Sequence, residues 1–285
     1  MTRLTPFELH RASSVAEAST LVTDLGDEAV LYAGGTELLL LAKLGFASFA
    51  HLVDVKPIAE LRRIEVVDGV LVIGGAVTHR AIERSPLVSS GWPDLVAMER
   101  RVANVRVRST GSLGGNLAFA DPHSDPATFL LAAGGSVELG TAEVRRELAI
   151  DDFVLGPYET ALDPGELLCA VKVPASAPGS ALAHVRFAVQ ERPAATVSAY
   201  VAVLDGRVEE VRVAVGSVGV KPVLVAGISA MLDSADPVAL DREALEATGH
   251  AAADAAEPVS DANGSDDYKA CLLYTSDAAD ESSSV

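Results

Sequence analysis

The sequence has 285 residues, 49% of them apolar and 5% aromatic, an ordinary globular composition with room for two or three small domains and a sizeable core. Its formal net charge of −18 works against nucleic acid or an anionic membrane as a partner, and requires any anionic cofactor to be held by local backbone N–H groups. Two cysteines, Cys169 and Cys271, exclude a disulfide framework and a four-thiolate iron–sulfur cluster within the chain, and the LLLLAKLG run is far too short for a membrane span.

In chain order, a short strand-like piece begins at Phe7. SSVAEASTLVTDLG follows, with Val15, Ala18, Leu21, Val22 and Leu25 at helical spacing, a cap at Ser13 or Ser14 and a stop at Gly26. A strand over 29–32, the turn Gly34-Gly35-Thr36, a helix over 37–44 capped by Thr36 and a strand over 52–55 make a βαβ-type unit that closes at Pro57. Residues 64–67 and 70–73 then alternate around Asp68-Gly69, a tight hairpin signal. Thr78 caps a helix to about Arg84, stopped by Ser85-Pro86, and a second helix covers 93–102. After a glycine-rich loop come a helix over 125–133, a strand over 136–139, a short turn or helix at Asp151-Asp152-Phe153 and a strand over 167–173. ASAPGSA (175–181) reads as a linker. Beyond it, strands over 197–204 and 208–215 flank Asp205-Gly206, and helices start near Ser229 and Asp241.

Two glycine-bearing stretches carry the chemistry. In TGSLGGNLAFADPHSD (110–125), Gly111, Gly114 and Gly115 let a ligand approach the main chain closely, and their amides can converge on an anion, usually a phosphate. Thr110, Ser112 and Asn116 add side-chain donors, and Asp125 is placed to accept from a sugar hydroxyl or a ring N–H. In AVLYAGGTELLLL (29–41), a strand ends in a glycine turn and opens a helix, which brings free N–H groups and the positive end of a helix dipole to one point. Neither stretch is a Walker loop or the dinucleotide fingerprint. Two distinct anion loops in one chain suit a ligand with two phosphates. The plainer reading of each is a tight turn between buried elements.

AGGTELLLLAKLG followed by TGSLGGNLAFADPHSD closely resembles the flavin subunit of the molybdenum hydroxylases, the group that includes aerobic carbon monoxide dehydrogenase and xanthine dehydrogenase. HLVDV (51–55), GGAVTH (74–79) and PGELLCAVKVP (164–174) match as well, and the resemblance runs from about residue 7 to 269. It implies an α+β oxidoreductase subunit with the two-subdomain FAD-binding fold shared with p-cresol methylhydroxylase (1–57 and 58–174), followed by a small C-terminal α+β domain (181–270). The implied partners are a molybdopterin-containing large subunit and a small subunit with two [2Fe–2S] clusters, in a dimer of heterotrimers. Electrons would pass from the clusters through FAD to an external acceptor.

The resemblance also assigns residues. Leu31, Tyr32, Ala33, Gly34, Gly35, Thr36, Glu37 and Leu38 match the first flavin loop, whose backbone holds the FAD pyrophosphate. Ser112, Leu113, Gly114, Gly115 and Asn116 match the second, next to Thr110. Asp125 stands where relatives have an acid that contacts the cofactor, and Leu168 matches an apolar residue near the adenine or flavin face. The stretch HVRFAVQERPAAT (184–196) departs from the family by lacking an acidic pair. Within it Arg186 either supplies a positive charge to reduced flavin or is an exposed strand arginine.

His79 reads as a helix-start residue and His123 as a solvated turn histidine, and no metal-ligand cluster or nucleophile motif is visible. The hard chemistry therefore belongs to a cofactor. Two rival readings are a self-contained flavin oxidoreductase of this fold and a non-catalytic assembly subunit. The first residues lack the apolar core of a secretory signal, so the cytoplasm is the expected compartment. Residues 271–285, CLLYTSDAADESSSV, abandon the preceding helical pattern, resemble a translated sequencing adapter and stand apart from the fold as a non-native tail that displaces the last helix.

Overall fold

The computed structural model describes residues 4–188, 192–232, 235 and 242–274. They form two compact units: Met1–Phe119 with Gly135–Phe153 and Glu159–Ala175, and Ala120–Gly134 with Val154–Tyr158 and Ser176–Val285. The α+β class expected from the sequence is the one adopted.

The first unit opens with three parallel strands, Glu8–Arg11, Ala29–Tyr32 and His51–Asp54, the last in the centre. Helix Val15–Leu25 connects the first two. Ser14 Oγ accepts from the Glu17 amide while the Glu17 carboxylate accepts from the amide of Ser13, the residue before the cap. Gly26, at φ +63°, ends the helix, and Val15 and Ala18 bury against Val53, Val55 and Ile58. Helix Leu38–Leu44 leads to the third strand. Its N-cap is Glu37, not Thr36 as the sequence suggests. The Leu39 amide, which a threonine cap would engage, instead donates to the Gly35 carbonyl at 3.1 Å.

The same unit holds an antiparallel sheet in the order Ile64–Val67, Val70–Gly74, Leu167–Pro174, Ser136–Gly140, Arg145–Ala149. Asp68 and Gly69 both have positive φ, the backbone that a two-residue hairpin requires. In the central strand the register slips between Leu168 and Ala170. Elements beyond the sequence reading include helices Pro86–Gly91 and Val105–Arg108, and strand Arg145–Ala149. Ser85-Pro86 was read as a stop, yet Ser85 Oγ accepts from the Val88 amide and Pro86 takes the first helical position, so the pair ends one helix and starts the next.

The second unit is an antiparallel sheet in the order Ser180–Phe187, Ala195–Leu204, Arg207–Gly216, Val223–Leu224. Helix Asp125–Ala133, buried along its whole length, belongs to this unit although sequence order assigned it to the segment before. Thr128 Oγ1 lies 3.3 Å from Thr196 Oγ1, and Arg212 Nε donates to the Ala132 carbonyl at 2.8 Å. A helix apolar on every side needs cover all round, and this sheet supplies part of it. Helices Ile228–Leu232 and Arg242–Ala256 close the unit's own core around Val211, Val213 and Val215. The last helix, Asp266–Tyr274, continues four residues past the expected break at Cys271, with Leu272 and Leu273 packed on that core. Residues 275–285, the rest of the expected tail, lie outside the described ones. No helix among the described residues is long and apolar enough to cross a membrane.

Candidate cofactor site

The two glycine motifs, far apart in sequence, are in backbone contact. A Cβ on Gly34 would fall 2.6 Å from Gly111 Cα, and one on Gly111 would fall 3.3 Å from Thr36 Oγ1. In the first turn the strand delivers Leu31 and Tyr32. Leu31 and Ala33 turn inward onto the parallel-sheet core. Gly35 reverses the chain at φ +67°, and Leu38 opens the helix. Among the described residues, no backbone acceptor engages the amides of Gly34, Gly35 or Thr36. Lys56 braces the turn from outside: its Nζ donates to the Ala33 carbonyl at 3.1 Å, pairs with Asp54 at 2.8 Å and stands 3.7 Å over the Tyr32 ring. The sequence reading had not singled out this lysine.

The second motif differs from the open loop expected. Leu113, Gly114, Gly115 and Asn116 are the first residues of helix Leu113–Phe119, and Ser112 Oγ accepts from the Gly115 amide at 3.1 Å. Thr110 Oγ1 donates to the Arg106 carbonyl. Gly111, Gly114 and Gly115 all have negative φ, so none is required by a left-handed backbone. Close approach requires Gly114 instead, and crowds Gly111. The Gly114 amide donates to the Gly75 carbonyl at 3.1 Å, and the Gly75 amide donates to the Cys169 carbonyl at 2.9 Å. A Cβ on Gly75 would collide with the Leu168 carbonyl. Leu168 itself is buried, and it enters this stack through its main chain. Gly75 was missed, and the signal for it was the paired glycine that ends a strand in GGAVTH. Gly115 is exposed, with only the flexible Ser112 Oγ near its Cβ position, so one side of the motif stays open.

Behind this loop lies a buried hydrogen-bonded pair. His79 Nδ1 is 2.7 Å from Glu99 Oε2, and both side chains are almost wholly enclosed. Thr78 caps the helix, its Oγ1 accepting from the Ala81 amide, as the sequence suggests. The His79 amide donates to the Gly111 carbonyl at 3.1 Å, so this residue fixes the loop.

Asp125 and Arg186 belong to the other unit. Asp125 is 5% exposed, 3.2 Å from His184 Nε2 and 3.7 Å from Arg186 Nε. Arg186 is therefore not the exposed strand arginine that one reading allowed: its side chain is 14% exposed and faces a carboxylate. His123 is likewise not solvated. It lies 3.3 Å from Asp121 and 2.9 Å from Asp261, which also accepts from Lys269 Nζ at 2.7 Å. Burial alone would raise the Asp261 carboxyl, but Lys269, the Asn263 amide and His123 together hold it down at about 2.

Residues 5–176 match the family described as FAD binding domain in molybdopterin dehydrogenase, and residues 182–275 match the CO dehydrogenase flavoprotein C-terminal domain. The carbon monoxide dehydrogenase medium chain of Hydrogenophaga pseudoflava is 32% identical over 271 residues, covering 93% of this chain and 92% of that one. The solved carbon monoxide dehydrogenase of the same organism superposes with a TM-score of 0.91 at 31% identity, covering 95% and 94% of the two chains. Quinoline 2-oxidoreductase of Pseudomonas putida 86 superposes at 0.89 with 26% identity, covering 96% and 94%. The residues present fit a bound FAD. The amides of Gly34, Gly35 and Thr36 have no backbone acceptor among the described residues, the Ser112 hydroxyl lies in the motif that touches this turn, and a chain of net charge −18 needs such local donors for a diphosphate. The chain belongs to the family of FAD-binding medium subunits of the molybdenum hydroxylases.

Proposed function

We propose that this chain is the cytoplasmic electron-transfer subunit of a molybdenum hydroxylase, bound to a molybdopterin-containing large subunit and a [2Fe–2S] small subunit in a dimer of heterotrimers. The observation that supports it is the backbone contact between Gly34 and Gly111, which joins two anion-binding turns into one cradle. In this reading, residues 31–38, Thr110 and Ser112–Asn116 line the FAD diphosphate, with the amides of Gly34, Gly35 and Thr36 and the Ser112 hydroxyl donating to it. Leu168 walls the site through its buried strand. In the other unit, Asp125, held by His184 and Arg186, keeps its assignment as a hydrogen-bond acceptor only as part of the family resemblance. When bound, FAD supplies the step between one-electron carriers and a two-electron acceptor. The chain's own residues bind and orient it and exclude water.

The purified chain, expected to be yellow, should carry one non-covalent FAD. Alone it should support only artificial electron transfer, such as dye reduction by a nicotinamide donor. Hydroxylation of an aldehyde, a purine or carbon monoxide should require both partner subunits. Steady-state hydroxylation by the isolated chain, with no molybdenum present, would sink this reading in favour of a self-contained oxidoreductase. A colourless protein that still assembles with the partners would favour a purely structural subunit.

A further inference from the structure

Two neighbouring parallel strands bring together three side chains that the cofactor cradle does not use. Glu8 and His10 are two apart on strand Glu8–Arg11 and so project from one face. His51 opens the adjacent central strand as the register partner of Glu8, which sets it on the same face. His10 Nε2 stands 3.1 Å from His51 Nδ1, and His51 Nδ1 stands 3.8 Å from Glu8 Oε2. All three donor atoms lie within 4.8 Å of one another, a convergence that no other three His, Cys, Asp or Glu side chains among the described residues achieve.

We propose that Glu8, His10 and His51 bind a first-row divalent transition-metal ion of the zinc class, which clips the edge strand Glu8–Arg11 to the centre of the parallel sheet. Two donors each roughly 2.0–2.1 Å from a tetrahedral ion stand about 3.3–3.4 Å apart. The imidazole nitrogens are already within a few tenths of an ångström of that separation. The carboxylate is farther off, but the Glu8 side chain is largely exposed and can rotate to close the gap. Two imidazoles and one carboxylate suit zinc, cobalt(II) or nickel(II), whereas calcium and magnesium prefer an all-oxygen set. Neutral imidazoles facing each other at this distance share a single proton, one ring donating to the other. An ion takes that proton's place once the donating ring carries its proton on its other nitrogen, and then accepts a lone pair from each neutral ring. Water completes the fourth position.

The test uses the full FAD-loaded chain, freed of any affinity tag and stripped with a chelator. It is titrated with zinc sulfate against a chromophoric chelator, and separately with cobalt(II) chloride. Wild type should bind one equivalent more than the His10→Ala/His51→Ala variant, show the visible absorbance of nitrogen- and oxygen-ligated cobalt, and gain a zinc-dependent rise in melting temperature that the variant lacks. Glu8→Gln should weaken zinc binding about tenfold or more while leaving FAD content and metal-free melting unchanged. Equal stoichiometry and equal melting shifts in wild type and double variant would overturn the proposal. If the double variant does not fold, undiminished zinc binding by both Glu8→Gln and His10→Gln would overturn it as well.

Discussion

Gly114 donates its amide to the Gly75 carbonyl, and a Cβ on Gly114 would fall 2.5 Å from that same oxygen. The glycine is fixed by contact between two main chains, so the cradle's shape and its stability are coupled at this point. Gly114→Val should therefore cost about 3 kcal/mol or more in unfolding and release FAD together with the loss of stability. Gly115→Val meets only the Ser112 hydroxyl, which can rotate. It should leave the melting temperature nearly unchanged and still weaken FAD. Thermal melts and absorbance after gel filtration separate the two effects. Full FAD retention by both variants would remove this motif from the binding site.

His79 and Glu99 should behave as a unit. Among the described residues, Glu99 Oε1 has no hydrogen-bond partner, so the carboxylate depends on His79 for compensation. His79→Ala leaves it enclosed and without its hydrogen-bond partner, at a cost of about 1–3 kcal/mol. Adding Glu99→Leu should recover a large part of that loss, as measured by urea unfolding of both variants. Additive losses would show that the pair is not coupled.

Asp261 compensates Lys269, which is 1% exposed and donates also to the Ser217 carbonyl. Asp261→Asn should cost about 2–3 kcal/mol at neutral pH, on the low side for a buried pair because Asp261 keeps water access. Its folded pKa, about 2, lies below the ordinary carboxylate value, so the stabilisation is fully present above about pH 4. It is lost as pH falls through about 2. The gap between wild type and Asp261→Asn should be present at pH 7 to 8, and should narrow as acid takes the pH below about 4 towards 2. A gap that widens on acidification would contradict the pairing.

Cys169 should be chemically silent. Burial pushes its thiol up to about 12, and Sγ–H points to the Leu167 carbonyl at 3.4 Å. Iodoacetamide at pH 8 should leave Cys169 unmodified in the folded chain and alkylate it in urea, as read by peptide mass. Modification of the native protein at the same rate as in urea would show that this strand opens.

Where local chemistry settles a structure, the amino-acid sequence was sufficient. Asp68-Gly69 and Asp205-Gly206 adopt the positive φ angles their hairpins need, and Ser14 caps its helix. Each of these rests on one or two residues acting over a single turn. Other features need partners from distant segments, and there only the tertiary structure decided. Gly75 matters because Leu168 and Gly114 close on it. Helix Asp125–Ala133 joined the later sheet because Thr196 and Arg212 receive it. Arg186 turned inward to a carboxylate, His79 found Glu99, and His51 came to stand beside His10. Burial and ion pairing are properties of a neighbourhood, and in this chain those neighbourhoods are assembled by strand pairing and helix packing, which spacing along the sequence does not encode.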